Sequence, residues 1–198
     1  MLEFGLLEFG VITGFKYGFF GIFLFIFPFI RILHSKTFIK KIEYVINNNQ
    51  DKEIYIFAHS YGTYIISKLI EKNTKIKINT LFLCGSVLPS NYDINKKFAD
   101  RVGKVINDCG INDIVLIINK IFIPFLGDAG RIGFSGVNNK KLINRFFKGG
   151  HSLYFKNHNN KNFMENYWIP YLLDSKELSI IDERKDNIFS DILEPIFS

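Results

Sequence analysis

A chain of 198 residues that is 47% hydrophobic and 22% charged carries enough apolar mass for one sizeable core, which excludes disorder and argues for a single globular domain over 1–198. The net charge of +6 comes from lysines scattered as pairs (Lys40-Lys41, Lys96-Lys97, Lys140-Lys141) with acids between them. That pattern reads as a solvated surface, not as a nucleic-acid or anionic-membrane patch. Two cysteines, Cys84 and Cys109, give neither metal-ligand spacing nor a disulfide framework, which suits a reducing, cytoplasmic compartment and leaves neither as a candidate catalytic thiol.

From the N-terminus, "MLEFGLLEFG" lacks the basic region and small-residue cleavage site of a secretory signal, and residues 1–10 read as an irregular start. The apolar stretch "GFFGIFLFIFPFI" (Gly18–Ile30) falls short of the ~18 residues a spanning helix needs, contains Pro28, and is closed by Lys16 and Arg31. A buried or groove-lining helix is the favoured reading, with interfacial lipid contact as the minority one. "HSKTFIKKIEYVINNNQ" follows as an amphipathic helix with Phe38, Ile42, Val45 and Ile46 on one face. "EIYIFA" is a short continuous apolar strand, and its lack of polar alternation predicts burial on both faces.

"YGTYIISKLIEKN" is then a helix, "KINTLFLCG" a second buried strand, and "NYDINKKFADRVG" a helix that stops at Gly103. "KVIND" is a third, short strand; "DIVLIINKIFIPF" is helical up to Pro124; "KLINRFF" is a fourth strand and "KNFMENYWIPYLLD" a closing helix. Strands alternating with helices at this spacing imply right-handed parallel crossovers, hence an α/β fold with a mostly parallel sheet and helices on both faces. The Gly-rich stretch at 127–139 is the one long irregular segment, a candidate lid or a surface loop, and 175–198 reads as a C-terminal extension.

The most informative run is "EIYIFAHSYGTYIISKLI", in which an apolar strand breaks at Ala-His-Ser-Tyr-Gly and resumes as a helix. A nucleophilic serine must stand above the sheet on a tight strand-to-helix turn, which brings the residues two before and two after it together and requires both to be small. Here these are Ala58 and Gly62 around Ser60, a variant of G-x-S-x-G. A serine that merely caps the helix accounts for neither small flank.

A serine hydroxyl needs a base, and the base needs an orienting acid. Of four histidines, His59 lies inside the turn and points away from the serine, in a packing role. His34 precedes the turn on a helix, and His158 sits in an Asn-rich polar stretch. His151, in "FFKGGHSLYF", is on a Gly-Gly turn after the fourth strand, from which it can reach over the strand ends; it is the candidate general base. For the acid, "VINDCGINDIV" offers Asp113, ahead of Asp108, both just past the third strand. Asp113 also opens a helix, so an N-cap or first-turn carboxylate that favours the dipole is its plain alternative.

Taken together, "YGFF" at Tyr17, "AHSYGTYIISK" at Ala58, "CGSVLP" at Cys84, "NDCGINDIV" at Asn107, "GDAGRIGF" at Gly127, "GGHSLYF" at Gly149 and "YWIPYL" at Tyr167 resemble the α/β-hydrolase superfamily, and more narrowly its compact uncharacterised serine hydrolases. The resemblance spans roughly Val11 to Leu173 and includes the chain order Ser, Asp, His. It implies esterase-like or lipase-like chemistry: Ser60 attacks an acyl carbon, His151 shuttles the proton, Asp113 holds the imidazole and the backbone N–H of Tyr61 is one oxyanion donor. No cofactor or metal is implied, and the partner is a small-molecule acyl ester.

One departure is large. Proteins of this type ordinarily begin with a strand ending in a His-Gly type loop that supplies the second oxyanion donor, and no such strand and loop precede "FGVITGFKYGFF". An N-terminally truncated relative, with its first strand or strands missing, is therefore expected. Two functions follow: an active serine hydrolase, or a degenerate hydrolase-like protein that binds an acyl or lipid ligand, or a membrane, without turnover. Arg131, in the Gly-rich stretch, is a minor candidate contact to a carboxylate or phosphate.

Overall fold

The computed structural model of the chain describes residues 28–135, 140–158, 161–174 and 178–184. Its centre is a four-stranded, all-parallel sheet with helices around it, an α/β architecture. The strands are β1 (Tyr55–His59), β2 (Ile78–Cys84), β3 (Val102–Gly110) and β4 (Leu142–Phe147), and their spatial order is the same as their chain order. Each parallel step requires a crossover, and right-handed crossovers that all advance in one direction place their helices on one face.

That face is covered by α1 (Pro28–Asn47), α2 (Tyr61–Lys72), α3 (Ile94–Phe98), α4 (Ile114–Phe122) and the one-turn α5 (Ala129–Ile132). Ile65, Ile66 and Leu69 of α2, Phe98 of α3 and Leu116 of α4 meet Leu81, Leu83 and Val105 of the sheet there. The opposite face receives the C-terminal elements α6 (Phe163–Tyr167) and α7 (Ile169–Asp174); Phe163 of α6 and Trp168 between the two helices pack with Tyr154 on Phe82, Ile106 and Phe147. Because strand side chains alternate, Leu81 and Leu83 serve one core and Phe82 and Cys84 the other, so β2 and β3 are apolar on both sides. A two-residue hairpin, β5 (Asn157–His158) and β6 (Lys161–Asn162), precedes α6.

Several expectations need correcting. β1 is the outermost strand of the described sheet, so it is not buried on both faces: only Ala58 is buried, and Phe57 is 37% exposed although its ring stacks on Phe82 at 4.4 Å. The helix expected to reach Gly103 ends at Phe98. Ala99 takes a left-handed backbone (φ 36°), a 3₁₀ turn follows over Ala99–Arg101, and the chain is extended again from Val102. The third strand is accordingly nine residues long, and Asp108 lies inside it, paired in register with Cys84 and Arg145. The closing helix is two pieces with Trp168 at the break.

The described part of the Gly-rich stretch is buried at its start and forms the one-turn α5, while Ile132 and Ser135 are exposed. Residues 126–130 are buried, and a Cβ on Gly130 would collide with the backbone of Gly85 and Ser86. Residues 136–139 lie outside the described residues. Part of the supposed C-terminal extension joins the sheet: Phe146 N–H donates to the Ile181 carbonyl (2.8 Å) and Glu183 N–H to the Phe146 carbonyl (3.1 Å). The readings for residues 1–27, including the irregular start at 1–10 and most of Gly18–Ile30, lie outside the described residues; Pro28 to Ile30 open α1. Among the described residues no helix is long and apolar enough to cross a membrane.

Candidate active site

The carboxyl ends of the four strands carry the site. At the end of β1, Ser60 has φ 53° and ψ −122°, a backbone state that non-glycine residues rarely adopt. Its N–H donates to the Cys84 carbonyl (2.9 Å), which carries the β1–β2 pairing one residue past His59. Its own carbonyl accepts from the backbone N–H (3.0 Å) and hydroxyl (2.6 Å) of Thr63, whose hydroxyl in turn accepts from Val87 N–H (3.2 Å). Both small flanks, Ala58 and Gly62, are buried. The Ser60 side chain makes no capping hydrogen bond to α2, so helix capping does not account for a serine here.

Asp113 is the last residue of a three-residue connection, 111–113, that leaves the end of β3 and is tied to the end of β4. Ile111 N–H donates to the Phe147 carbonyl, Asn112 N–H to the Gly149 carbonyl and Asp113 N–H to the Gly110 carbonyl, all at 3.0–3.1 Å. The carboxylate is fully buried and uses both oxygens. Oδ1 accepts from Leu116 N–H (3.1 Å), capping α4, and Oδ2 accepts from Nδ1 of His151 at 2.7 Å. The two roles weighed for Asp113 are thus filled by different oxygens of one group.

With Nδ1–H committed to Asp113, the neutral His151 ring leaves Nε2 free to accept a proton. The His151 side chain is 20% exposed, enough to meet a bound molecule. The ring lies over Gly85, where an added Cβ would stand 3.2 Å from His151 Nδ1 and 3.5 Å from Asp113 Oδ2. Gly85 directly follows the Cys84 that pairs with His59, so the chain leaves β2 at Gly85 at the same level of the sheet at which it leaves β1 at Ser60. Gly85 also has φ 53°, and its N–H donates to the Tyr154 hydroxyl (3.0 Å), which itself donates to the Asp108 carbonyl (2.7 Å). Burial pushes the Tyr154 phenol well above its usual range, so it stays protonated and keeps that donor role.

Asp108 is held elsewhere. As an inward residue of β3 it points to the opposite sheet face, where it forms a bidentate ion pair with Arg145 (Nε–Oδ1 2.6 Å, Nη2–Oδ2 2.8 Å) and accepts from Trp168 Nε1 (2.8 Å). The guanidinium also lies 5.6 and 5.8 Å from the ring centres of Phe147 and Tyr167. Alternation along a strand fixes this assignment: Asn107 faces α5, donating to the Ala129 carbonyl, and Asp108 must therefore face away.

His59 does pack, with its ring edge-on to Phe155 and Tyr154, but it also reaches His151: the ring centres are 4.7 Å apart and Nε2 donates to the His151 carbonyl (2.9 Å). Burial and the neighbouring His151 push its pKa down to about 4, so it is neutral at physiological pH. His34 lies on α1 and His158 on β5. Both cysteines are buried and reduced, and burial raises their thiols well above the ordinary value. Arg131 is engaged with Asp128 (3.6 Å), which Lys120 also approaches at 3.0 Å. Among the described residues no cluster of three His, Cys, Asp or Glu side chains could hold a metal ion.

Sequence reasoning did not anticipate Gly85, Tyr154 or the bond from His59. Gly85 and Tyr154 lie inside the runs "CGSVLP" and "GGHSLYF", but their partners are set by strand register and not by local pattern. Set beside known protein families, curated proteins and solved structures, the chain matches none of them.

Proposed function

We propose that the chain is a serine hydrolase of the α/β-hydrolase type, cleaving an ester-type acyl substrate through an acyl-enzyme on Ser60. One observation carries the reading: a serine in strained backbone at a strand-to-helix turn shares its sheet end with an imidazole whose Nδ1 is bound by a buried carboxylate at 2.7 Å. Each part has a chemical consequence. At the strained turn Oγ makes no capping hydrogen bond to the helix. Asp113 fixes the tautomer that leaves His151 Nε2 as a proton acceptor and steadies the imidazolium once formed.

In the acylation step Ser60 Oγ bonds to the acyl carbon as its proton passes to His151 Nε2. The tetrahedral oxyanion collapses, the carbon–oxygen bond to the leaving alcohol breaks, and that alcohol takes the proton from His151. Water then repeats the sequence against the acyl-enzyme, returning Ser60. On this reading Tyr61 N–H, the first of α2, serves as one oxyanion donor, the place that the residue after the nucleophile takes at such a turn.

The substrate is expected to be apolar on its acyl side. Ile114, Ile117, Ile118, Ile121 and Phe122 expose large apolar surface along α4, the helix that starts at Asp113. The test is turnover of p-nitrophenyl esters of increasing acyl length by the full chain and by Ser60→Ala. Turnover lost in Ser60→Ala supports the proposal, and equal turnover in both chains refutes it.

A further inference from the structure

We propose that His59 is a positioning residue for the general base, holding the His151 backbone through its Nε2–H and backing the His151 imidazole with its ring. The inference rests on the hydrolase reading above and adds a fourth side chain to the three that the reading needs.

His151 sits on a connection between β4 and a 3₁₀ turn at Leu153–Phe155, preceded by two glycines. The Asp113 bond fixes the tilt of its ring but not the path of its backbone. Asn112 N–H anchors Gly149 from one side (3.0 Å), and Leu153 N–H closes onto the Gly150 carbonyl (3.0 Å). Besides these neighbours, the hydrogen bond to the His151 carbonyl comes from His59, 92 positions away, on the strand that bears Ser60. The nucleophile's strand and the base's loop are thereby joined by one ring that touches both.

A carbonyl oxygen only accepts, so His59 Nε2 must carry a proton. Burial and the neighbouring His151 keep the ring neutral, which leaves Nδ1 bare and adds no repulsion when His151 becomes an imidazolium. A ring kept only for packing against Tyr154 and Phe155 needs no particular tautomer, and phenylalanine would replace it.

Two measurements decide the matter. In the ¹⁵N-histidine-labelled wild-type chain at pH 7, long-range ¹H–¹⁵N correlation is expected to show His59 as the Nε2–H tautomer; an Nδ1–H tautomer overturns the proposal without reference to activity. Fluorophosphonate labelling rates are then compared for wild type, His59→Phe, which keeps a ring without a donor, and His59→Gln, whose amide N–H mimics Nε2–H. His59→Phe is expected to label about ten- to a hundredfold more slowly, the range that a misplaced catalytic group gives. His59→Gln should recover most of the rate.

Equal rates for wild type and a folded His59→Phe overturn the proposal. His59→Asn, whose amide is too short to reach the carbonyl, replaces His59→Phe if the latter does not fold. A folded wild-type chain that takes no label refutes the hydrolase reading instead, and the tautomer result still decides whether His59 clamps the loop.

Discussion

Asp113 Oδ2 lies 2.7 Å from His151 Nδ1 while its other oxygen caps α4 through Leu116 N–H at 3.1 Å. One buried carboxylate therefore starts a helix and orients an imidazole, and the two duties can be separated by substitution.

Asparagine caps helices as well as aspartate does, but it cannot hold the same tautomer of His151 or steady its charge. Asp113→Asn is expected to remain within about 1 kcal/mol of wild-type stability in urea unfolding. Its ester turnover should fall on the order of 10⁴-fold. A variant that unfolds readily while keeping its turnover would show that the cap is the role that matters.

Ser60 holds a backbone state that costs of order 1–3 kcal/mol in a residue with a Cβ, and glycine relieves it at an entropic cost of roughly 0.5–1 kcal/mol. Ser60→Gly should therefore be more stable than wild type by about 1 kcal/mol, read as a raised urea midpoint, and devoid of turnover. A destabilised Ser60→Gly would mean that the serine side chain supports the fold.

The Asp108–Arg145 pair is buried among aromatic rings, and removing one partner strands the other charge. Arg145→Met should lower unfolding stability by about 3–5 kcal/mol, and Asp108→Leu combined with Arg145→Met should recover much of that loss. Loss of the same size in the double variant would argue that Trp168 and Tyr154, not the ion pair, dominate this region.

His59 titrates near 4 in the folded chain against 6.5 ordinarily, so between these values the unfolded chain binds more protons. Stability should thus decline as pH falls from about 6.5 to about 4, and His59→Gln should flatten that slope. Glu71 acts in a lower window. Burial pushes its carboxyl up, but hydrogen bonds from Lys68, Tyr92 and Lys97 outweigh this and hold it at about 2, so its contribution is lost as pH falls from 4.5 toward 2. Urea midpoints collected across pH 3–8 for both chains resolve the two windows.

What could be read in the sequence was whatever has a local period or a local steric demand. β2, α2 and β4 follow from apolar runs and helical spacing, and the turn at Ser60 follows from the small flanks Ala58 and Gly62. The limits of α3 were not legible, because the left-handed Ala99 that ends it carries no marker residue. The length of β3 was hidden for a related reason: Cys109 and Gly110 look like a turn, yet they continue the ladder to Phe146 and Phe147. The bond from His59 to His151 joins the end of β1 to the loop after β4 and depends on the order of four strands, which residue pattern alone does not fix.

The central claim is that Ser60 Oγ is the nucleophile activated by His151, and covalent trapping tests it most directly. The folded chain is incubated with a fluorophosphonate, which bonds phosphorus to an activated serine oxygen and expels fluoride, and the adduct is located by peptide mass spectrometry. The account predicts a single adduct on Ser60, absent in His151→Ala. A folded chain that takes no adduct, or takes it on another residue, contradicts it.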